Sequence, residues 1–184
     1  MAENQTFEKK DFTAEPMEDE YLDCVFINCN FEQQQLGKIV FEECRFEQCN
    51  FCLSKTNKTS WHNVRFSGCK MIGIDLTASN PFSSFTFEKS NLQYAVFAQM
   101  KLKGLHFIQC NLQEVDFSDT DLSSAIFDQC DLLRTVFYNT NLENADLTSA
   151  YHFLIDPRIN QLKNARFSRD NIEGLVAPFG VLIE

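Results

Sequence analysis

The chain has 184 residues, enough for one domain, and its 44% hydrophobic content is that of an ordinary globular protein. A formal net charge of −10 disfavours direct nucleic-acid binding, which usually needs a basic face. No run of about 18 apolar residues is present to span a membrane, so neither nucleic acid nor membrane is an expected partner.

The chain opens on Met1-Ala2-Glu3-Asn4-Gln5, with no basic start leading into an apolar run, so no signal peptide is expected and the cytoplasm is the default compartment. Residues 1–4 are expected to fray. Phe7 and Phe12 begin a five-residue spacing, which breaks across the acidic, loop-like Glu15-Pro16-Met17-Glu18-Asp19. It restarts at Tyr21 and runs Phe26, Phe31, Leu36, Phe41, Phe46, Phe51, Thr56, Trp61, Phe66, Met71 and Leu76. Thr56 is the weak unit, and the polar stretch around it, residues 54–61, is expected to bulge outward. One extra residue enters at Asn80-Pro81, which is suitable chemistry for a wider corner. From Phe82 to Leu147 every fifth residue is Phe or Leu, fourteen in succession.

A period of five fits neither a helix at 3.6 nor a strand at 2. Such a repeat is read before local propensity. Two positions before each central residue stands a mostly small one, such as Ser90, Ala95, Cys110, Val115, Thr120, Ala125 or Cys130. One position before stands Asn or Asp at 91, 111, 116, 121, 131, 141 and 146. With stretches such as "NLQEVDFSDTDLSSAIFDQCDLLRTVF", the chain resembles the pentapeptide-repeat proteins. That resemblance implies an all-β fold, a right-handed quadrilateral β-helix with four units per twenty-residue coil and one unit per face. The expected organisation is a single domain over 1–184. Its repeats cover about 7–150, and a short C-terminal helical cap and dimer segment covers about 151–184.

Stacking residues twenty apart gives inner columns. One holds Phe26, Phe46, Phe66, Phe87, Phe107, Phe127 and Leu147; another holds Tyr21, Phe41, Trp61, Phe82, Leu102, Leu122 and Leu142. Trp61 therefore reads as core. Seven of the eight cysteines, at 24, 29, 44, 49, 69, 110 and 130, fall at the inward small position. They read as reduced, buried apolar side chains, since rungs about 4.8 Å apart are too far for a disulfide. No metal is expected. Beyond Leu147, Asp156-Pro157 opens a turn. Ser168 is then expected to cap a short helix carrying Ile172, Leu175, Val176 and Phe179. An end of a β-helix must be covered. The apolar tail points to a homodimer seam through Ile172, Leu175, Val176, Phe179 and Leu182.

No catalytic constellation, cofactor motif or metal-ligand spacing is visible, so an enzyme is not expected. The Asp and Asn that precede each central residue have a local role, capping nearby backbone. What varies is surface charge: net −8 over 1–47, +5 over 55–103, −8 over 114–156 and +1 over 157–184. Among the acids of the third segment, Glu114, Asp119, Asp128 and Glu143 point outward and are the first candidates for binding a partner, with Asp116 and Asp121 next. The Phe-rich coverage, the "IDPRIN" segment and the apolar end resemble the fluoroquinolone-resistance and microcin-immunity subgroup of the family. That resemblance implies a DNA-mimicking rod which binds DNA gyrase or topoisomerase IV and protects it from poisons. The alternative is a cytoplasmic protein-interaction scaffold with no topoisomerase partner.

Overall fold

The structure, a computed structural model, describes residues 1–181. The five-residue repeat folds as a four-sided parallel β-solenoid with one short helix at its C-terminal end. Face A carries a four-stranded sheet of Ala2–Glu3, Glu20–Leu22, Val40–Glu42 and Ser60–His62. The next face, B, carries seven strands: Thr6–Glu8, Val25–Ile27, Arg45–Glu47, Val64–Ser67, Phe85–Glu88, His106–Ile108 and Ile126–Asp128. Faces C and D are held by single parallel bridges such as Asn91↔Asn111 and Asp116↔Val136.

Register follows the sequence spacing: Phe26 pairs with Phe46, Phe46 with Phe66, and Phe66 with Phe87 across the one-residue insertion. Like therefore stacks on like. Phe31 and Phe51 lie 4.5 Å apart at 4°, and Phe41 and Trp61 lie 4.8 Å apart at 13°. Such offset pairs contribute about 0.5–1.5 kcal/mol each beyond burial. Trp61 is fully buried, as read from its column, and its indole N–H donates to Ser79 Oγ at 3.4 Å.

Most corners carry a residue with positive φ. Gln33, Lys38, Glu43, Glu114, Asp119 and Asn139 adopt it, as do Gly68, Gly73 and Gly104 at the equivalent position. At Gln33, Lys38, Gly73, Gly104, Glu114 and Asp119 the central carbonyl also accepts the amide three residues on, as it does in Ala95 N–H to Leu92 O at 2.9 Å. This is the turn pattern that demands a left-handed third residue.

Four expectations from the sequence are corrected. Residues 1–4 are not frayed: Ala2 is buried opposite Tyr21, and the amino terminus of Met1 pairs with Glu18 at 2.7 Å. The 54–61 stretch does not bulge. Thr56 and Thr59 are buried, and their hydroxyls donate to Asp75 O at 2.6 Å and Leu36 O at 2.8 Å, so polar side chains are satisfied inside the stack. Phe82 does not enter its column and is 83% exposed. Asn80 accepts the Ser83 amide at 3.0 Å, making a turn with Pro81 second and Phe82 third, and Phe82 is turned out. Phe85 fills the axis instead, buried and 6.2 Å from Trp61.

The fourth correction lies at the C-terminus. The helix spans Glu173–Val176 with Ile172 before it and no side-chain cap, so Ser168 does not cap it; a 3-10 turn, Ala177–Phe179, follows. This segment covers the last coil. Asn171 Nδ2 donates to Leu147 O at 3.2 Å and Ala150 O at 2.8 Å, and Ile155 N–H donates to Gly174 O at 2.9 Å. Carbonyls that would otherwise face an open end are thereby satisfied.

Candidate partner-binding surface

The cysteines do not form a reactive site. Seven are buried, and Cys52 is half-buried. Cys49 and Cys69 donate their thiols to Phe26 O and Phe46 O of the preceding coil, each at 3.3 Å. Burial pushes the Cys44 thiol up to about 12, so the nucleophilic thiolate is suppressed. All eight are free thiols, and among the described residues no group of three His, Cys, Asp or Glu is placed to hold a metal ion.

The Asp and Asn ladder does act locally. Asp116, Asp121, Asp131 and Asp146 each accept the backbone amide two residues on, at 2.8 to 3.1 Å. These contacts fix the corners, and they leave the remaining carboxylate oxygens facing outward.

The six candidate acids are distributed around the rod. Asp116 and Asp119 lie on face D, Asp121 and Glu143 on face A, Glu114 at the corner of C with D, and Asp128 on face B, opposite D. Glu114, Asp116, Asp119 and Asp121 follow one another along one edge of a single coil. Asp128 is remote from them on the far side, and Glu143 sits one rung above on face A. Asp119 is exposed and the other five are half-buried.

Most have partners from the next coil. Glu114 meets Arg134 at 3.8 Å, Asp119 accepts Asn139 Nδ2 at 2.7 Å, Asp121 accepts Asn141 Nδ2 at 3.0 Å, and Asp128 accepts Ser149 Oγ at 2.8 Å. Further pairs join Asp131 to His152 at 3.0 Å, Asp146 to Arg166 at 3.0 Å and Asp156 to Arg158 at 2.6 Å. Sequence reading missed these pairs. The signal was present: Arg134, Asn139, Asn141 and Arg166 each stand twenty residues after the acid they meet. All are solvent-facing and screened, so each is worth at most about 1 kcal/mol.

Folding sorts charge by coil. Residues 10–28 carry net −5 and residues 29–48 carry −2. Residues 49–68 reverse to +3, 69–89 are neutral, and 90–109 carry +2. Residues 110–129 return to −5, with Glu114, Asp116, Asp119, Asp121 and Asp128 and no Lys or Arg. Residues 130–149 carry −2, and the last coil, 150–169, carries +3.

Of the residues expected at a dimer seam, Ile172 is 43% and Phe179 50% exposed, while Leu175 and Val176 are half-buried, Leu175 against the core. Arg158 lies over the Phe179 ring at 4.8 Å and donates to Pro178 O at 3.1 Å, which holds the end of the cap against the rod. Leu182 lies outside the described residues.

Residues 20–97 match the family described as the pentapeptide repeat region. Over these residues the chain is similar to pentapeptide-repeat proteins. Residues 84–154 also match the family described as the SV2A/B/C luminal domain. Among curated proteins none matches the sequence. Among solved structures the chain resembles QnrB1, a plasmid-mediated fluoroquinolone resistance protein, in the trypsin-treated form of a point variant. The TM-score is 0.62 at 19% identity, spanning 100% of this chain and 91% of that one. Full-length QnrB1 gives 0.58 at 15% identity, over 97% and 99%. HetL, a pentapeptide-repeat protein involved in heterocyst differentiation regulation in Nostoc sp. strain PCC 7120, gives 0.47 at 15% identity, over 98% and 88%. At these identities the two QnrB1 likenesses establish the fold alone. Among the described residues no helix is long and apolar enough to cross a membrane.

Proposed function

We propose that this chain is a non-catalytic, cytoplasmic rod that enters a basic DNA-binding groove of DNA gyrase or topoisomerase IV and counters poisons acting there, such as fluoroquinolones or peptide toxins. The observation that carries the reading is the coil 110–129. It sets five carboxylates and no cation into one rung of about 4.8 Å. That is about one negative charge per Å of axis, denser than the roughly one per 1.7 Å of duplex DNA. Four of the five acids, Glu114, Asp116, Asp119 and Asp121, follow one edge of the rod, so a basic groove would meet that edge first. The structural likeness to QnrB1, a fluoroquinolone resistance protein, supports the choice of enzyme class.

In this reading two copies join through Ile172, Leu175, Val176, Phe179 and Leu182. The last coil, at +3, then lies between the acidic coil and the two-fold axis. A dimer would therefore offer two separate acidic sectors flanking a less acidic centre.

Gyrase supercoiling, with and without a quinolone, tests the reading. The combined variant Glu114→Gln, Asp119→Asn, Asp128→Asn, Glu143→Gln should need at least about tenfold more protein to inhibit, since exposed charges act only within a Debye length of about 8–10 Å. Neutralising four acids within residues 1–47 should do far less. A wild-type rod that does not inhibit, or a neutralised rod that inhibits as well, removes the topoisomerase reading. The scaffold reading would then replace it. One observation favours that second reading: the reversal to +3 and +2 in mid-rod, which a uniform DNA substitute would not carry.

A further inference from the structure

The mid-rod reversal of charge coincides with the one Phe of the five-residue frame that, among the described residues, the solenoid turns outward. Phe82, 83% exposed, is the third residue of the turn Asn80–Ser83. Ser84 N–H donates to Trp61 O at 2.7 Å, and Thr86 pairs with His106. The turn therefore lies on face A directly between the rung of Trp61 and the rung of Leu102. Lys101 and Lys103 flank Leu102 on the rung above. Lys58 stands at the neighbouring corner one rung below, its amide on Ala78 O at 2.7 Å, with Lys38 beneath it. All four lysines are exposed, and among the described residues none has a carboxylate within 4.0 Å. Asp121 is next to Lys101 in the bridge ladder, yet its Oδ1 is occupied by the Ser123 amide and by Asn141 Nδ2.

This basic patch is bounded along the same side of the rod. Below it lie Glu20, Asp23, Glu42 and Glu43, and above it lie Asp119, Asp121 and Glu143. From Lys58 to Lys101 is about two rungs, or roughly 10 Å. A polyanion longer than that, whether a nucleic-acid strand or an anionic lipid surface, would lie over the acidic blocks on both sides and be repelled by them. An anion confined to about four residues of extended chain, at about 3.3 Å per residue, fits the basic block. An apolar side chain in its middle would cover Phe82. Basic residues beyond its ends would meet the acidic blocks, so the charge order of the rod fixes the register of whatever lies along it.

We propose that Phe82, with Lys58, Lys101 and Lys103, is a docking site for a short acidic peptide segment of a partner protein, a segment that carries one large apolar side chain. Phe82 is the anchor. It is the kind of exposed aromatic that supplies most of the energy at small protein interfaces, while the lysines set orientation and encounter rate. The site is separate from the acidic coil 110–129, and it stands or falls independently of the topoisomerase reading.

The test is direct binding to the full chain by fluorescence anisotropy. The probe is a labelled tetrapeptide Glu-Leu-Leu-Asp, with a version carrying Ser for both Leu beside it. Saturable binding of the Leu peptide is expected, at least fivefold weaker for the Ser peptide and weakened as salt rises. F82S should weaken the Leu peptide at least fivefold without moving the thermal midpoint, since the side chain lies on a surface turn. The double variant K101E/K103E should abolish saturable binding. K70E, an exposed lysine on face C, should bind as wild type does. The proposal is overturned if the Leu peptide does not bind saturably, or if F82S binds it as tightly as wild type. Tighter binding of hexathymidylate or of phosphatidylserine vesicles than of the peptide would equally overturn it.

Discussion

Replacing Gly174 with Ala should release the C-terminal cap from the last coil. A Cβ at this position would stand 2.5 Å from Phe153 Cδ2 and 2.6 Å from Cε2, and would press on the Phe153 carbonyl oxygen. Neither neighbour can give way cheaply. The carbonyl belongs to the backbone, and the buried Phe153 ring is held against Phe167 at 5.4 Å. The helix Glu173–Val176 must therefore lift. Lifting breaks the 2.9 Å bond from Ile155 N–H to Gly174 O and draws Asn171 away from Leu147 and Ala150. Overpacking costs about 1–3 kcal/mol. The docked cap carries that strain and the lifted cap does not, so at about 3 kcal/mol local opening becomes roughly a hundredfold easier.

Native-state hydrogen exchange reads this at the Ile155 amide. In the variant that amide should exchange about a hundredfold faster, while amides near Phe26 to Phe51 keep their rates, because a solenoid transmits stability only between neighbouring coils. Gly104→Ala is the control. Gly104 has φ +71° and nothing within 4 Å of a built Cβ. It should cost only the left-handed backbone penalty of about 1 kcal/mol and leave Ile155 unchanged. An Ile155 amide as protected in Gly174→Ala as in wild type would refute the docking argument.

Phe85→Ala should destabilise by about 3 kcal/mol in urea titration, while Phe82→Ala stays within about 0.5 kcal/mol, because only Phe85 is packed against Trp61. Thiol titration of the native protein should be slow and of the unfolded protein complete at eight, with stoichiometric zinc by elemental analysis as the contrary result. Asp146 is held below the ordinary carboxylate range by the Thr148 hydroxyl and then by the Thr148 amide and Arg166. Asp131 is also lowered: burial works against it, but hydrogen bonds from Gln113 and His152 prevail. A lowered folded pKa gives stability that is complete above the unfolded value near 4 and drains away as pH falls through the folded value. The urea midpoint should therefore hold from pH 7 to 5 and drop below pH 4, with a smaller drop in Asp146→Asn. Glu114→Gly should separate stability from binding. Glu114 has φ 56°, so Gly relieves up to about 1 kcal/mol of backbone strain, while a carboxylate of the acidic coil is lost. Equilibrium unfolding should show a variant at least as stable as wild type that inhibits gyrase less well.

The columns were legible because a five-residue frame leaves no freedom about which side chain points inward. Cys49, Phe66 and Leu112 are buried wherever the frame puts them. Legibility failed where the frame itself was perturbed. Phe82 and Phe85 are both Phe near an insertion, and counting by fives chose the wrong one. The deciding fact is that a Pro81 turn closed by Asn80 leaves its third residue outside. Thr56 failed for a different reason. Hydropathy counts a threonine against burial, but in this stack a hydroxyl at the axis finds the carbonyl of the adjacent coil at 2.6 Å, and its polarity costs little.

Surface chemistry was less legible for a geometric reason. Side chains that touch across coils are twenty positions apart, so Glu114 with Arg134, or Asp146 with Arg166, share no local sequence signal. Net charge over a sequence segment mixes residues from four faces. The segment 114–156 looks uniformly acidic, yet four of its acids, Glu114, Asp131, Asp146 and Asp156, face a cation or His152. The converse carries the functional argument. Inward positions fix the fold, and outward ones are nearly free of it, so the order of charge along the rod is not a by-product of folding. Five acids placed in one coil with no cation among them repel each other, and three exposed lysines placed around an expelled Phe do the same. Each arrangement raises the free energy of the isolated rod, partly screened by salt and offset at Glu114 by Arg134 of the next coil, and a surface of opposite charge laid against it lowers that energy further.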